Sequence, residues 1–290
     1  MSSFISSAKK RLTFIRSALL CILITQTFSF YTAFSQGDLL ITPRRVVFDG
    51  SKRSIDVNLA NTGRDTATYA ISLVQIRMKE DGTFETITEP DPGQLFADKY
   101  IRYFPRSVTL GPNESQVVKV QLARQGKLAP GEYRSHFYFR AIPKAQPLGE
   151  EEKVRDTTTI SVVLKPVYGI TIPVIIRVGE STTKVTLSGL SLDMVNDAGP
   201  VLSLTINRSG NMSVYGDLAV YHISPEGKET KVGAANGIAV YTPNTIRNFR
   251  LNLQNVPGVD YNSGKLKAIF SAPSDVKPEK YAEAELMLKE

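Results

Sequence analysis

Two histidines, His136 and His222, and one cysteine, Cys21, are the whole imidazole and thiol content of this 290-residue chain. The sequence holds no HExxH pair, no GxSxG nucleophile turn and no phosphate-binding glycine loop. Its carboxylates are scattered, so no facing acid and base can be placed. His136, inside Arg134-Ser135-His136-Phe137, reads as a surface or satisfied histidine rather than a base or a ligand. No catalytic residue, no metal and no cofactor is expected. Two other groups stand out. One is the basic pair Arg44-Arg45 ahead of Val46-Val47-Phe48. The other is an alternation that puts Ile160, Val162 and Leu164 on one strand face and Ser161, Val163 and Lys165 on the other. Pro166 then removes a ladder donor, which suits an edge strand. An apolar edge invites pairing with another chain. Pattern alone equally allows an ordinary core strand here.

The elements that must position these residues follow a leader. Lys9, Lys10, Arg11 and Arg16 precede an apolar stretch from Ala18 to Phe34, and Ala33-Phe34-Ser35 offers small residues at a cleavage site. Residues 1–35 are expected to be a signal peptide, with a mature chain from about Gln36. Thr25, Gln26, Thr27 and Ser29 dilute the run and argue against an uncleaved anchor. The full chain carries 35 basic and 28 acidic residues; without the leader the balance is 31 against 28, or +3. No basic stripe is interleaved with aromatics, so nucleic acid is not indicated as a partner. Cys21 falls in the leader as well. An exported chain without disulfides fits a bacterial periplasm.

Period-2 alternation runs through most of the remainder. It appears at Ile55, Val57, Leu59; at Tyr69, Ile71, Leu73; at Val118, Val120, Leu122; and at Phe137, Phe139, Ala141. Turns separate these runs at Asp49-Gly50, Asn61-Thr62-Gly63, Asp81-Gly82, Gly111-Pro112-Asn113 and Pro130-Gly131. The second half alternates at Leu204 and Ile206, Leu218 and Val220, Leu266, Ala268 and Phe270, and in the closing strand Ala282 to Leu288. Short antiparallel strands at this spacing predict an all-β protein of two sandwiches, with a junction near Val178 to Thr183. The acidic, proline-bearing stretch Lys144 to Thr159 reads as a solvated loop ahead of the alternating strand.

Two segments, Ile41-Thr42-Pro43-Arg44-Arg45-Val46-Val47-Phe48-Asp49-Gly50 and Pro130-Gly131-Glu132-Tyr133-Arg134-Ser135-His136-Phe137-Tyr138-Phe139-Arg140-Ala141-Ile142-Pro143, lie in this order roughly 90 residues apart. Together they resemble the N-terminal domain of periplasmic pilus chaperones, the PapD-like family. The likeness covers about 40–178; beyond it only the strand-rich pattern agrees. It implies two immunoglobulin-like β-sandwich domains, 36–179 and 180–290, joined at an angle with a cleft between them. It also implies that Arg45, three residues before Phe48, binds the C-terminal carboxylate of a pilin-like subunit. A guanidinium suits that task because it can donate two parallel hydrogen bonds to one carboxylate. On a strand, Arg44 and Arg45 point to opposite faces, so only one is expected in the cleft. The family pairs this arginine with a lysine; here Tyr168-Gly169 stand at the corresponding place, leaving Lys165 or the Tyr168 hydroxyl as the second donor. Ile160, Val162 and Leu164 become the strand donated to the subunit, the mode of strand addition that pilus chaperones exemplify. The implied partners are subunits and an outer-membrane usher, and the free chain could cap its edge by self-association. The competing reading is an exported β-sandwich adhesion or ligand-binding module that donates no strand.

Overall fold

The computed structural model describes residues 39–123, 128–143, 167–195, 199–274 and 278–288. The leader, Cys21 and the alternating strand with Lys165 lie outside them. Ten strands build the first sandwich: β1 (Leu39–Thr42), β2 (Val46–Phe48), β3 (Ser54–Asn61), β4 (Ala67–Met78), β5 (Phe84–Ile87), β6 (Ile101–Phe104), β7 (Ser107–Leu110), β8 (Ser115–Leu122), β9 (Gly131–Ile142) and β10 (Gly169–Val178). One sheet has the order β1-β3-β8-β6. The other runs β2-β10-β9-β4-β5, with β7 also on β4. The second sandwich holds β11 (Lys184–Val195), β12 (Gly199–Ser209), β13 (Val214–Ile223), β14 (Glu229–Val240), β15 (Ile246–Asn252), β16 (Lys265–Ser271) and β17 (Lys280–Met287). Its sheets are β11-β12-β15 and β14-β13-β16-β17.

The turns form where the local chemistry asks for them. Gly50 and Gly82 take positive φ, and the preceding Asp49 and Asp81 each accept hydrogen bonds from the residue two further on. Asn61, buried at the end of β3, receives Gly63 N–H on its carbonyl and donates to the Leu110 and Gly111 carbonyls at 3.0 and 3.1 Å. The first core then fills by alternation: Val57 and Leu59, Tyr69 and Ile71, Val118 and Val120, Phe137 and Phe139, all buried. Each fully buried side chain of this size contributes about 1.5–3 kcal/mol.

One sheet is covered on both sides, and period 2 shows how. Ile172, Val174 and Ile176 on β10 face the first core, whereas Ile175 lies in the core of the second sandwich. On β2, Val46 and Phe48 belong to the first core and Val47 packs on the second. On β9, Tyr133, Phe137 and Phe139 point inward, which turns Glu132, Arg134 and His136 towards the second sandwich. The polar opening of this strand is therefore an interface face, not an exposed one.

Hydrogen bonds join the sandwiches along that face. The Glu132 side chain is fully buried; its Oε2 accepts from Arg177 Nε at 3.1 Å, Ser213 N at 3.1 Å and Ser213 Oγ at 2.7 Å. Arg177 sits opposite Glu132 in the β9–β10 ladder and also donates to Ser213 O at 2.8 Å. Asn244 Nδ2 donates to Met78 O, and Asn248 N to Glu80 O, both at 2.7 Å. Removing the carboxylate would leave Arg177 half-buried and uncompensated. Glu132→Ala is expected to lower the unfolding free energy by about 3–5 kcal/mol in urea denaturation. A loss under about 1 kcal/mol would show that the pair holds nothing together.

Candidate functional site: a basic cleft between the sandwiches

A cleft of about 250 Å³ opens between the outer face of the β2-β10-β9-β4-β5 sheet and the second sandwich. Its floor comes from the first: Arg44 and Arg45 ahead of β2, Ile76, Phe84, His136, Thr171 and Pro173. Its opposite wall holds Tyr215 on β13, Ala239 on β14, Tyr241 just after it, and Arg247 on β15. Three arginines line this space, and among the described residues no aspartate or glutamate does.

Arg45 reaches the cleft because the chain changes sheets there. β1 pairs with β3 in one sheet, residues 43–45 bend, and β2 joins β10 in the other, with Val46 level with Val174. Strand alternation does not apply across a bend, so Arg44 and Arg45 both line the cleft, where a single one was expected. Pro173, which has no N–H to donate, sits one residue before the β2 ladder begins. The Arg45 guanidinium stacks on Tyr215, its Cζ 3.9 Å from the ring centroid, and its Nη1 is buried without a hydrogen bond among the described residues. Burial pulls its pKa below the ordinary value; Tyr241, Tyr215 and Glu132 oppose that, and Arg177 adds to it. Arg134, beside the cleft, donates to the carbonyls of Ile76 at 3.3 Å and Thr242 at 3.2 Å and lies 4.3 Å from the Tyr241 centroid.

The remaining expected site residues fall elsewhere. Ile160, Val162, Leu164 and Lys165 lie outside the described residues. Tyr168 is 52% exposed and does not line the cleft. Val46, next to Arg45, pairs with Val174, and Tyr168 lies six residues back, just ahead of β10, about 20 Å at 3.3 Å per residue. Arg247 and Tyr241 were not singled out from the sequence, because nothing in the second half's alternation says which residues would meet the first sandwich.

No protein-family model and no curated protein matches the sequence. Among solved structures, the chain is similar to the YadV chaperone (TM-score 0.43, 14% identity, covering 87% of this chain and 100% of that one). It is similar to the CsuC–CsuE chaperone–tip adhesion subunit pre-assembly complex from archaic chaperone-usher Csu pili of Acinetobacter baumannii (0.43, 13%, 88% and 100%). It is also similar to the Salmonella enterica SafA pilin in complex with the SafB chaperone (0.41, 13%, 88% and 99%).

Of the two places expected for His136, surface or interior, the structure gives the interior. β9 lies between β10 and β4, with the second sandwich over its outer face, so the ring is buried rather than at the surface. Phe84 and Tyr241 meet it edge-on, each 6.1 Å between centroids, and Nδ1 has no hydrogen-bond partner among the described residues. Burial first, and the Arg134 charge second, lower its pKa to about 3. The unfolded chain therefore binds a proton below about pH 6.5 that the folded chain refuses until about pH 3. This contribution to stability is complete above pH 6.5 and is lost as the pH falls towards 3. Between pH 7 and pH 5 it amounts to about 2 kcal/mol. Urea midpoints should fall more steeply over that range for the wild type than for His136→Gln. Parallel pH profiles would show that His136 does not titrate in this way.

Proposed function

We propose that this protein is an exported chaperone of the pilus type, which holds an incomplete pilin-like subunit by its terminal carboxylate and by a donated strand. The observation that carries the reading is the cleft: three arginines between two sandwiches, with Arg45 half-buried, its Nη1 enclosed without a hydrogen bond, and no acidic residue lining the space among the described residues. Such a site favours a small anion entering from outside, and a main-chain carboxylate at the end of an extended segment fits its charge. Arg45 occupies the position that the sequence resemblance assigns to that task.

Donation is the second half of the proposal. Ile160, Val162 and Leu164 would fill the subunit's open groove, each contributing about 1.5–3 kcal/mol before the ordering of the chain is subtracted. The subunit's core is thereby completed and its aggregation-prone surface covered. Release at an outer-membrane usher follows when another subunit's own strand packs better in the same groove, so no nucleotide is needed. The periplasm, reached with removal of residues 1–35, is where these steps take place.

The test is mass spectrometry of whatever co-purifies with the mature chain from its own periplasm. Small β-rich subunits are expected with the wild type and lost with Arg45→Ala, while circular dichroism shows that variant folded. Undiminished capture by Arg45→Ala would remove the carboxylate assignment. Val162→Asp is also expected to lose the subunits, because it would bury an unpaired charge in the groove. A Val162→Asp protein that unfolds would instead show the strand to be ordinary core. A wild-type monomer with no partner, under conditions where surface fibres are made, would favour the adhesion or ligand-binding module.

A further inference from the structure

Arg45 has a counterpart across the cleft that comes from the other sandwich. Arg247, on β15, lines the same space, and its Nε is buried without a hydrogen bond among the described residues. Its Nη1 donates to the Ala239 carbonyl at 2.6 Å, and its Cζ lies 5.6 Å from the Phe249 centroid. Burial lowers its pKa, while Tyr241 and Asp81 oppose that. Asp81 is the acidic group that acts on it, but Asp81 Oδ1 is already taken by Thr83 N and Oγ1, at 2.9 and 2.6 Å.

The guanidinium is also held in place by the first sandwich. It lies against Gly82 in the β4–β5 turn, where a Cβ would come within 2.6–2.8 Å of Nη2, Nε and Cζ. A side chain at position 82 would displace Arg247, and φ of +84° favours glycine there in any case. A cation on one sandwich is thus cradled by a turn of the other, beside a cleft whose floor presents Arg45, Arg44 and His136.

We infer that Arg247 is the second cation of the carboxylate site, so that a ligand's terminal carboxylate is clamped between Arg45 on the first sandwich and Arg247 on the second. This rests on the reading of the cleft as a carboxylate site, and it assigns to the second sandwich the role expected of Lys165 or Tyr168. The site is then complete only when both sandwiches are in place.

The probes are an acetylated octapeptide of alternating Thr and Val with a free α-carboxylate, and the same peptide as its C-terminal amide. Binding to the mature protein is followed by calorimetry and by the arginine Nε–H signals in NMR. The wild type is expected to prefer the acid by at least about tenfold, as one or two charge-assisted hydrogen bonds imply. Arg45→Gln and Arg247→Gln should each abolish most of that preference, and Arg247→Lys should retain part of it. The acid, but not the amide, should shift the Nε–H signals of both arginines. A preference lost in Arg45→Gln but intact in Arg247→Gln overturns the clamp and leaves the carboxylate site standing. No preference in the wild type overturns both. If thermal melting shows Arg247→Gln to be misfolded, the wild-type spectrum decides: an unmoved Arg247 signal during acid titration removes Arg247 from the site.

Discussion

The cleft lies where the two sandwiches meet, and a fully buried carboxylate is one of the ties between them. Glu132 has no exposed side-chain surface, and one of its oxygens accepts from Arg177 on the neighbouring strand and from Ser213 on the second sandwich. Separating the sandwiches would strip Ser213 from that oxygen and bring water to a pair formed in a low-dielectric contact. Leaving a buried ion without partners is worth several kcal/mol of instability, so the contact is strongly specified. With Glu132 fixed, the residues alternating with the first core on β9 and β10 lie under the second sandwich, and Tyr241, Thr242 and Arg247 take fixed places above them.

The same geometry explains why the cleft is positive. Glu132 is the nearest buried acid, and its close contacts go to Arg177 and Ser213, so its charge opposes the desolvation of Arg45 and Arg134 only from a distance. Those two guanidiniums rest instead on the faces of Tyr215 and Tyr241. A cation over an aromatic ring gains about 0.5–2 kcal/mol, less than full burial of an unpaired charge removes. The balance leaves net positive potential in a narrow space with low-dielectric walls, which is how a protein concentrates an anion.

Much of the architecture was legible in the chain. Asp49-Gly50 and Asp81-Gly82 announce turns by chemistry local to four residues, and Tyr69-Ile71 or Phe137-Phe139 announce a core face by strand period alone. Arg45 could be singled out because it sits in a short segment with a family likeness. The other half of the cleft could not. Arg247 falls on the same strand face as Phe249 and Leu251, and only the docking of one sandwich on another gives it a cleft to face. The outward set Glu132, Arg134, His136 was the available signal: three ionisable residues at period 2 on a strand whose other face is aromatic. It reads as solvent-facing until a second layer is known to cover it. The bend at residues 43–45 defeated the alternation argument for Arg44 in the same way, because a strand period says nothing about where the chain changes sheets.

On the proposed reading, a charged cleft also answers a problem of register for a donated strand. An apolar strand added to an open groove can slip by two residues and still present the same face, since side chains repeat with period 2. Three aliphatic side chains such as Ile160, Val162 and Leu164 discriminate weakly against such a slip, because Ile, Val and Leu differ by little in size. A chain terminus does not repeat. A carboxylate that must meet a half-buried guanidinium gains charge-assisted hydrogen bonds in one position only, and two residues away it is an ion without a partner. On the proposed reading, the apolar strand supplies most of the binding energy and the cleft supplies the position. On the same reading, the under-solvated arginines of the free protein are a destabilisation of the kind that functional sites retain, one that the ligand would remove on binding.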